Sequence, residues 1–81
     1  GLDKYKARIH INGNFVIGTY NTLEKAAIAY NKAVDMAHAH GIEKNYPENY
    51  IESISGKEYA DIYTSVTVSD KYVQYLQQFD L

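Results

Sequence analysis

Polar and apolar residues alternate at the start of the chain. Lys4, Lys6, Arg8 and His10 hold the even positions, and Tyr5, Ala7, Ile9 and Ile11 the odd ones. A period of two places successive side chains on opposite faces of an extended backbone, so residues 4–11 are predicted as a β-strand with one basic and one apolar side. Asn12-Gly13 comes next. It fits a two-residue type I′ turn, in which both central positions need positive φ. Asn14 to Tyr20 is then the return strand, with Phe15 and Ile17 on the apolar face and Asn14 and Val16 beside the basic row. Gly18 marks a bend or a close approach to the next element.

The period then changes. Leu23, Ala26, Ala27, Tyr30, Ala33, Val34 and Ala37 fall on one stripe at helical spacing, predicting a helix from Leu23 to about His40. Asn21 or Thr22 can cap its start, and Glu24 lies near the positive end of its dipole. Gly41 is a natural stop. Its alanines favour helix and let it lie close to a sheet. Residues 42–54, which hold the only proline at Pro47, read as irregular. Ser55-Gly56-Lys57-Glu58 has capping-box spacing and predicts a short helix from Gly56 to about Tyr63, with Tyr59, Ile62 and Tyr63 on its apolar side. Residues 64–68 read as an extended link. Ser69 can cap a last helix over Asp70 to Phe79, with Tyr72, Val73, Leu76 and Phe79 inward.

The fold class expected is therefore α+β. An antiparallel hairpin of two strands, or three, packs on one long helix, and two short helices follow. Residues 1–47 form the sheet-plus-helix module, and residues 48–81 a helical extension packed on the same single domain. A chain of 81 residues buries only roughly 60–65% of the surface its unfolded form exposes, so the core is thin. Nine tyrosines and no tryptophan suit such a core, because the ring packs while the hydroxyl reaches water. Their mostly helical spacing favours packing over base stacking.

Composition narrows the function. There is no cysteine, so neither disulfides nor thiolate chemistry is available. No stretch reaches the roughly 18 apolar residues that span a bilayer. The start at Gly1-Leu2-Asp3, without Met, suggests a piece of a longer protein. The net charge is −2, but it is unevenly spread. Residues 1–20 carry Lys4, Lys6 and Arg8 against Asp3, whereas residues 21–81 carry five basic and nine acidic side chains. Catalytic constellations are missing from the pattern. His38 and His40 are two residues apart on a helix and point to different faces, so they make no i, i+4 metal pair. Ser55 and Ser69 read as caps, and Gly13 and Gly18 belong to the hairpin rather than to a phosphate loop. No enzyme activity, metal site or cofactor is expected.

The basic row remains. A sheet with one wet face is polar there in any case. A twisted two-stranded ribbon can also enter the major groove of DNA, where arginine reads guanine edges and lysines hold phosphates. A resemblance favours the second use. The run "YKARIHINGNFVIGTYNTLEKAAIAYNKAV" resembles the plant ethylene-response-factor, or Apetala-type, DNA-binding domain and its bacterial and phage relatives. The matching points are "ARI", "NG" and "IGTYNTLEKAAIAYNKA", with Asn45-Tyr46-Pro47 resembling that family's closing Asn-Phe-Pro. The likeness covers about residues 4–47. It implies a three-stranded antiparallel sheet on one helix, with DNA contacts from the exposed sheet face. Carried over by position, these are Lys6, Arg8, His10, Asn14 and Val16, and the basic row adds Lys4. It also implies that Ala7, Ile9, Phe15 and Ile17 face Ala26, Ala27 and Tyr30, and that Tyr5 stands where the family often has tryptophan.

The chain departs from that family in two ways. Only Leu2 and Asp3 precede Lys4 after the first residue, where the family has a further strand carrying several arginines. Asn14 and Val16 replace residues that are often basic or aromatic. The expected function is double-stranded DNA binding, sequence-specific or semi-specific, as a module of a larger phage, mobile-element or transcription-regulating protein. The expected location is cytoplasmic in a bacterial or phage-infected cell, or nuclear in a eukaryotic one. The alternative is a protein-interaction or self-association module that uses the open sheet edge and the tyrosine-rich C-terminal part, with the C-terminal helices joining a second copy or the parent protein.

Overall fold

The computed structural model describes residues 4–11, 13–49 and 51–78. Two strands, β1 (Tyr5–His10) and β2 (Asn14–Tyr20), form an antiparallel two-stranded sheet. A long helix, α1 (Leu23–Ala39), follows, and then α2 (Gly56–Ser65) and α3 (Asp70–Gln77). This is the α+β architecture expected from the pattern. Phe79, expected on the inner face of the last helix, lies outside the described residues, as does the Asn12 half of the turn.

The hairpin differs from expectation in its connection. His10 pairs with Asn14, which leaves three residues between the strands rather than two. The reason is geometric. Directly opposed residues of an antiparallel pair share a face. A two-residue turn would have set apolar Ile11 against polar Asn14. The longer connection instead pairs His10 with Asn14 and Ile9 with Phe15, so polar meets polar and apolar meets apolar. Gly13 has φ 124, a backbone conformation open to glycine.

A bulge interrupts the ladder where Ala7 pairs with Gly18 and Arg8 with Val16, leaving Ile17 as the extra residue. Both Ile17 and Tyr20 can therefore face inward despite their odd spacing, and both are buried. Gly18 is required at this point. A Cβ there would collide with the Tyr20 hydroxyl and lie 2.7 Å from its ring Cζ. The expected close approach is thus to the side chain two residues on.

α1 is capped by Thr22, whose hydroxyl accepts from the Lys25 amide at 3.1 Å. It ends in a Schellman arrangement. Gly41 (φ 86) donates to the His38 carbonyl and Ile42 to the Ala37 carbonyl, each at 3.0 Å, and Ile42 tucks into the core. Ala26, Ala29, Ala33, Val34 and Ala37 bury one side of the helix with Ala7, Ile9, Ile11 and Ile17 of the hairpin. Leu23, expected on this stripe, is 61% exposed, because it is the first residue after the cap and sits beside an open cleft. Ile28 and Asn31 lie off the stripe yet are almost wholly buried.

The C-terminal part supplies much of the remaining core. Ser55 and Ser69 cap α2 and α3, as their positions suggest, accepting from Glu58 and Tyr72 amides at 3.1 and 3.2 Å. α2 continues through Thr64 and Ser65, so the extended link is shorter than expected. Tyr72 and Leu76 are completely buried, and Val73 is half-buried. The Tyr72 hydroxyl donates to the Ala33 carbonyl at 2.6 Å, and Phe15 rests on Tyr72 and Tyr75 at ring separations of 6.2 and 4.5 Å. Burial raises the Tyr72 phenol well above its ordinary range.

Candidate nucleic-acid interface

The packing just described uses the inward face of the sheet. Its other face carries Lys4, Lys6, Arg8 and His10 from the β1 side and Asn14 and Val16 from β2, all exposed. The structure brings Lys6, Arg8, His10, Asn14 and Val16 onto one surface, with Lys4 exposed just before β1. Across the strands, Arg8 stands opposite Val16 and His10 opposite Asn14. The His10 Nδ1 and the Asn14 Oδ1 are 3.1 Å apart, which ties the two ends of the turn together. The Lys6 and Arg8 side chains are exposed, and neither makes a hydrogen bond or ion pair to another described residue.

Three features hold this surface in place. The bulge lies directly beside the Arg8–Val16 pair and increases the local right-handed twist. The Tyr46 hydroxyl donates to the His10 carbonyl at 2.5 Å, pinning the turn end of β1 to the irregular segment. Partial burial, with lesser effects from Tyr30 and Tyr75, raises the Tyr46 phenol, which keeps it a donor. The third feature is the segment after α2. Ser69 donates to the Ile17 carbonyl at 2.8 Å, and the Tyr20 hydroxyl to the Thr67 carbonyl at 2.6 Å. These bonds brace β2 from behind. No other described strand pairs with the outer edge of β1. An open cleft runs beside β1, and Lys6 and Arg8 line it together with Ala7, Leu23, Ala26, Ala27, Tyr30 and Asn49.

A second polar cluster, not anticipated from the sequence, joins α1 to the C-terminal part. The Asn31 amide donates to the Asn49 carbonyl at 2.9 Å and to the Tyr59 hydroxyl at 3.0 Å, and accepts from the Asn49 amide at 2.7 Å. Lys32 Nζ donates to the Tyr63 and Val66 carbonyls at 2.9 and 3.1 Å, where the end of α2 leaves carbonyls without helical partners. The Tyr63 hydroxyl donates to Asp35 at 2.6 Å. Burial first, and then that hydrogen bond, push the Tyr63 phenol far upward. Partial desolvation raises the Glu48 carboxyl, Asp35 raises it further by repulsion and hydrogen bonding, and His38 opposes the shift.

No group of three or more His, Cys, Asp or Glu among the described residues is placed to hold a metal ion. No described helix is long and apolar enough to cross a membrane. No family model matches the chain, and comparisons with curated proteins and with solved structures return no significant match.

Proposed function

We propose that the chain binds double-stranded DNA by laying the outward face of its hairpin in the major groove. The observation that carries this reading is the exposed surface of Lys6, Arg8, His10, Asn14 and Val16, with Lys4 exposed beside it, backed by a sheet whose other face packs on the core. Strands about 4.8 Å apart make a ribbon narrower than the roughly 12 Å major groove. The likeness of residues 4–47 to the Apetala-type domain supports the same placement. In this reading Arg8 meets a guanine edge, Lys4 and Lys6 lie on phosphates, and His10 and Asn14 add polar contacts. This surface fits a module that works inside a larger phage, mobile-element or regulatory protein, because three cations give only weak binding alone.

The experiment is an affinity measurement on Arg8→Ala. Arg8 is exposed and its side chain makes no hydrogen bond or ion pair to another described residue, so the fold should survive, as judged by an unchanged melting temperature. Duplex affinity should fall about tenfold, in the range expected for one arginine–guanine pair. A folded variant with unaltered affinity would refute the assignment.

The unpaired outer edge of β1 favours a second reading, a protein-interaction module that adds a strand there. Salt separates the two. Two phosphate contacts, from Lys4 and Lys6, give a slope of log K against log salt of about −1.8, whereas strand addition should barely respond to salt. α3 already places Tyr72 and Leu76 in the chain's own core, so the sheet edge is the better candidate for such contacts than that helix.

A further inference from the structure

Val16 is one of two large hydrophobic residues that the described structure leaves well exposed, at 45%. It stands on an otherwise polar and basic surface, directly opposite Arg8 and next to the bulge. Nothing in the packing of the chain uses it. Its neighbours on β2, Phe15 and Ile17, supply the apolar contacts to the core. Resting on the duplex-binding reading, we propose that Val16 selects pyrimidines carrying a C5 methyl group, reading a thymine methyl beside the base contacted by Arg8.

The chemistry follows from what the major groove displays. Thymine presents a methyl group there, the one apolar feature on any base edge, and apolar side chains recognise it by contact. Directly opposed residues have Cα atoms roughly 4.5–5.5 Å apart. That distance is between one and two base steps of about 3.4 Å. Arg8 and Val16 can therefore address neighbouring base pairs at once, one through paired hydrogen bonds to guanine and the other through a methyl contact. A β-branched side chain is stiff about χ1, so the contact needs little ordering of Val16 on binding. The pair would thus define a short composite preference for a guanine flanked by a methylated pyrimidine. Cytosine, whose edge offers an amino donor and no methyl, would lose hydration of that donor against Val16, which cannot accept its hydrogen bond.

The test uses two random-sequence duplex pools that differ only in carrying thymine or uracil, which lacks the methyl. The whole chain and its Val16→Ala variant are titrated into each. Removing one buried methyl contact is worth about a fourfold loss of affinity. The unaltered chain should bind the thymine pool about fourfold more tightly. Val16→Ala should bind both pools equally, near the affinity of the unaltered chain for the uracil pool. Equal binding of both pools by the unaltered chain, or an undiminished thymine preference in Val16→Ala, overturns the inference while leaving duplex binding standing. Absence of binding to either pool overturns both readings together.

Discussion

At the scale of single residues, the positions that matter most are those where local pattern and tertiary contact disagree. Gly18 is legible in the sequence as an irregularity, but its reason is the Tyr20 ring lying over it, which no period reveals. Tyr20 cannot swing aside without losing its hydrogen bond to the Thr67 carbonyl. Gly18→Ala should therefore destabilise the fold by about 1–3 kcal/mol, the usual range for overpacking, and chemical denaturation would measure it. Asn31 is the opposite case. Helical spacing marks it as a polar residue off the apolar stripe, and so as solvent-facing, yet it is 1% exposed. Its partners are the backbone of Asn49 and the hydroxyl of Tyr59, 18 and 28 residues away, and hydrophobic periodicity is silent about such pairings. The outward placement of Lys6, Arg8, His10, Asn14 and Val16 was legible because alternation alone divides the two faces of a strand.

At the scale of elements, existence and order followed from periodicity and caps, while register did not. The Asn-Gly signal argued for a two-residue turn, but the face polarity of both strands required an odd connection, and packing prevailed over turn preference. α1 has two working faces rather than one. Its alanine side lies on the sheet. Its Ile28, Asn31, Lys32 and Asp35 side meets α2 and the chain before it, mostly through hydrogen bonds to tyrosine hydroxyls and carbonyls. A polar face that is buried by polar partners cannot be recognised by hydropathy. The Asp35–Glu48 contact at this junction has a pH signature. The folded state raises the Glu48 carboxyl above its ordinary value, so it holds its proton more tightly than the unfolded chain does. Stability from this group is then present in acid and is lost as pH rises through the folded-state value. Glu48→Gln should raise the melting temperature at neutral pH, and the advantage should disappear below the ordinary carboxylate range. The effect will be small because the site is exposed to screening. Melting curves across pH would register its sign.

At the scale of the whole molecule, the C-terminal third completes the domain. Tyr72 and Leu76 are fully buried against the alanine face and hairpin, and Lys32 and Asn31 find their partners in α2 and the chain before it. A fragment of residues 1–47 should accordingly lack a cooperative thermal transition, since removing a buried aromatic side chain alone costs about 3–5 kcal/mol. Calorimetry on the fragment and the full chain would decide this. The division of charge is also a property of the whole. The hairpin carries Lys4, Lys6 and Arg8 with no described acidic residue beside them, while the acids from Glu24 to Asp70 are spread over α1, the irregular segment, α2 and α3 and outnumber the five lysines there. Such polarity would orient the molecule as it approaches a polyanion, with the acidic surfaces turned away.

The outward hairpin face as the duplex-binding surface is tested most directly by titrating the isotopically labelled chain with duplex DNA and following amide shifts by NMR. Lys6, Arg8, His10, Asn14 and Val16 should move together and saturate together, while the α2 residues Tyr59 to Ser65 stay fixed. Shifts centred on α2 or on the cleft beside Leu23, or no shifts at all in low salt, would contradict it.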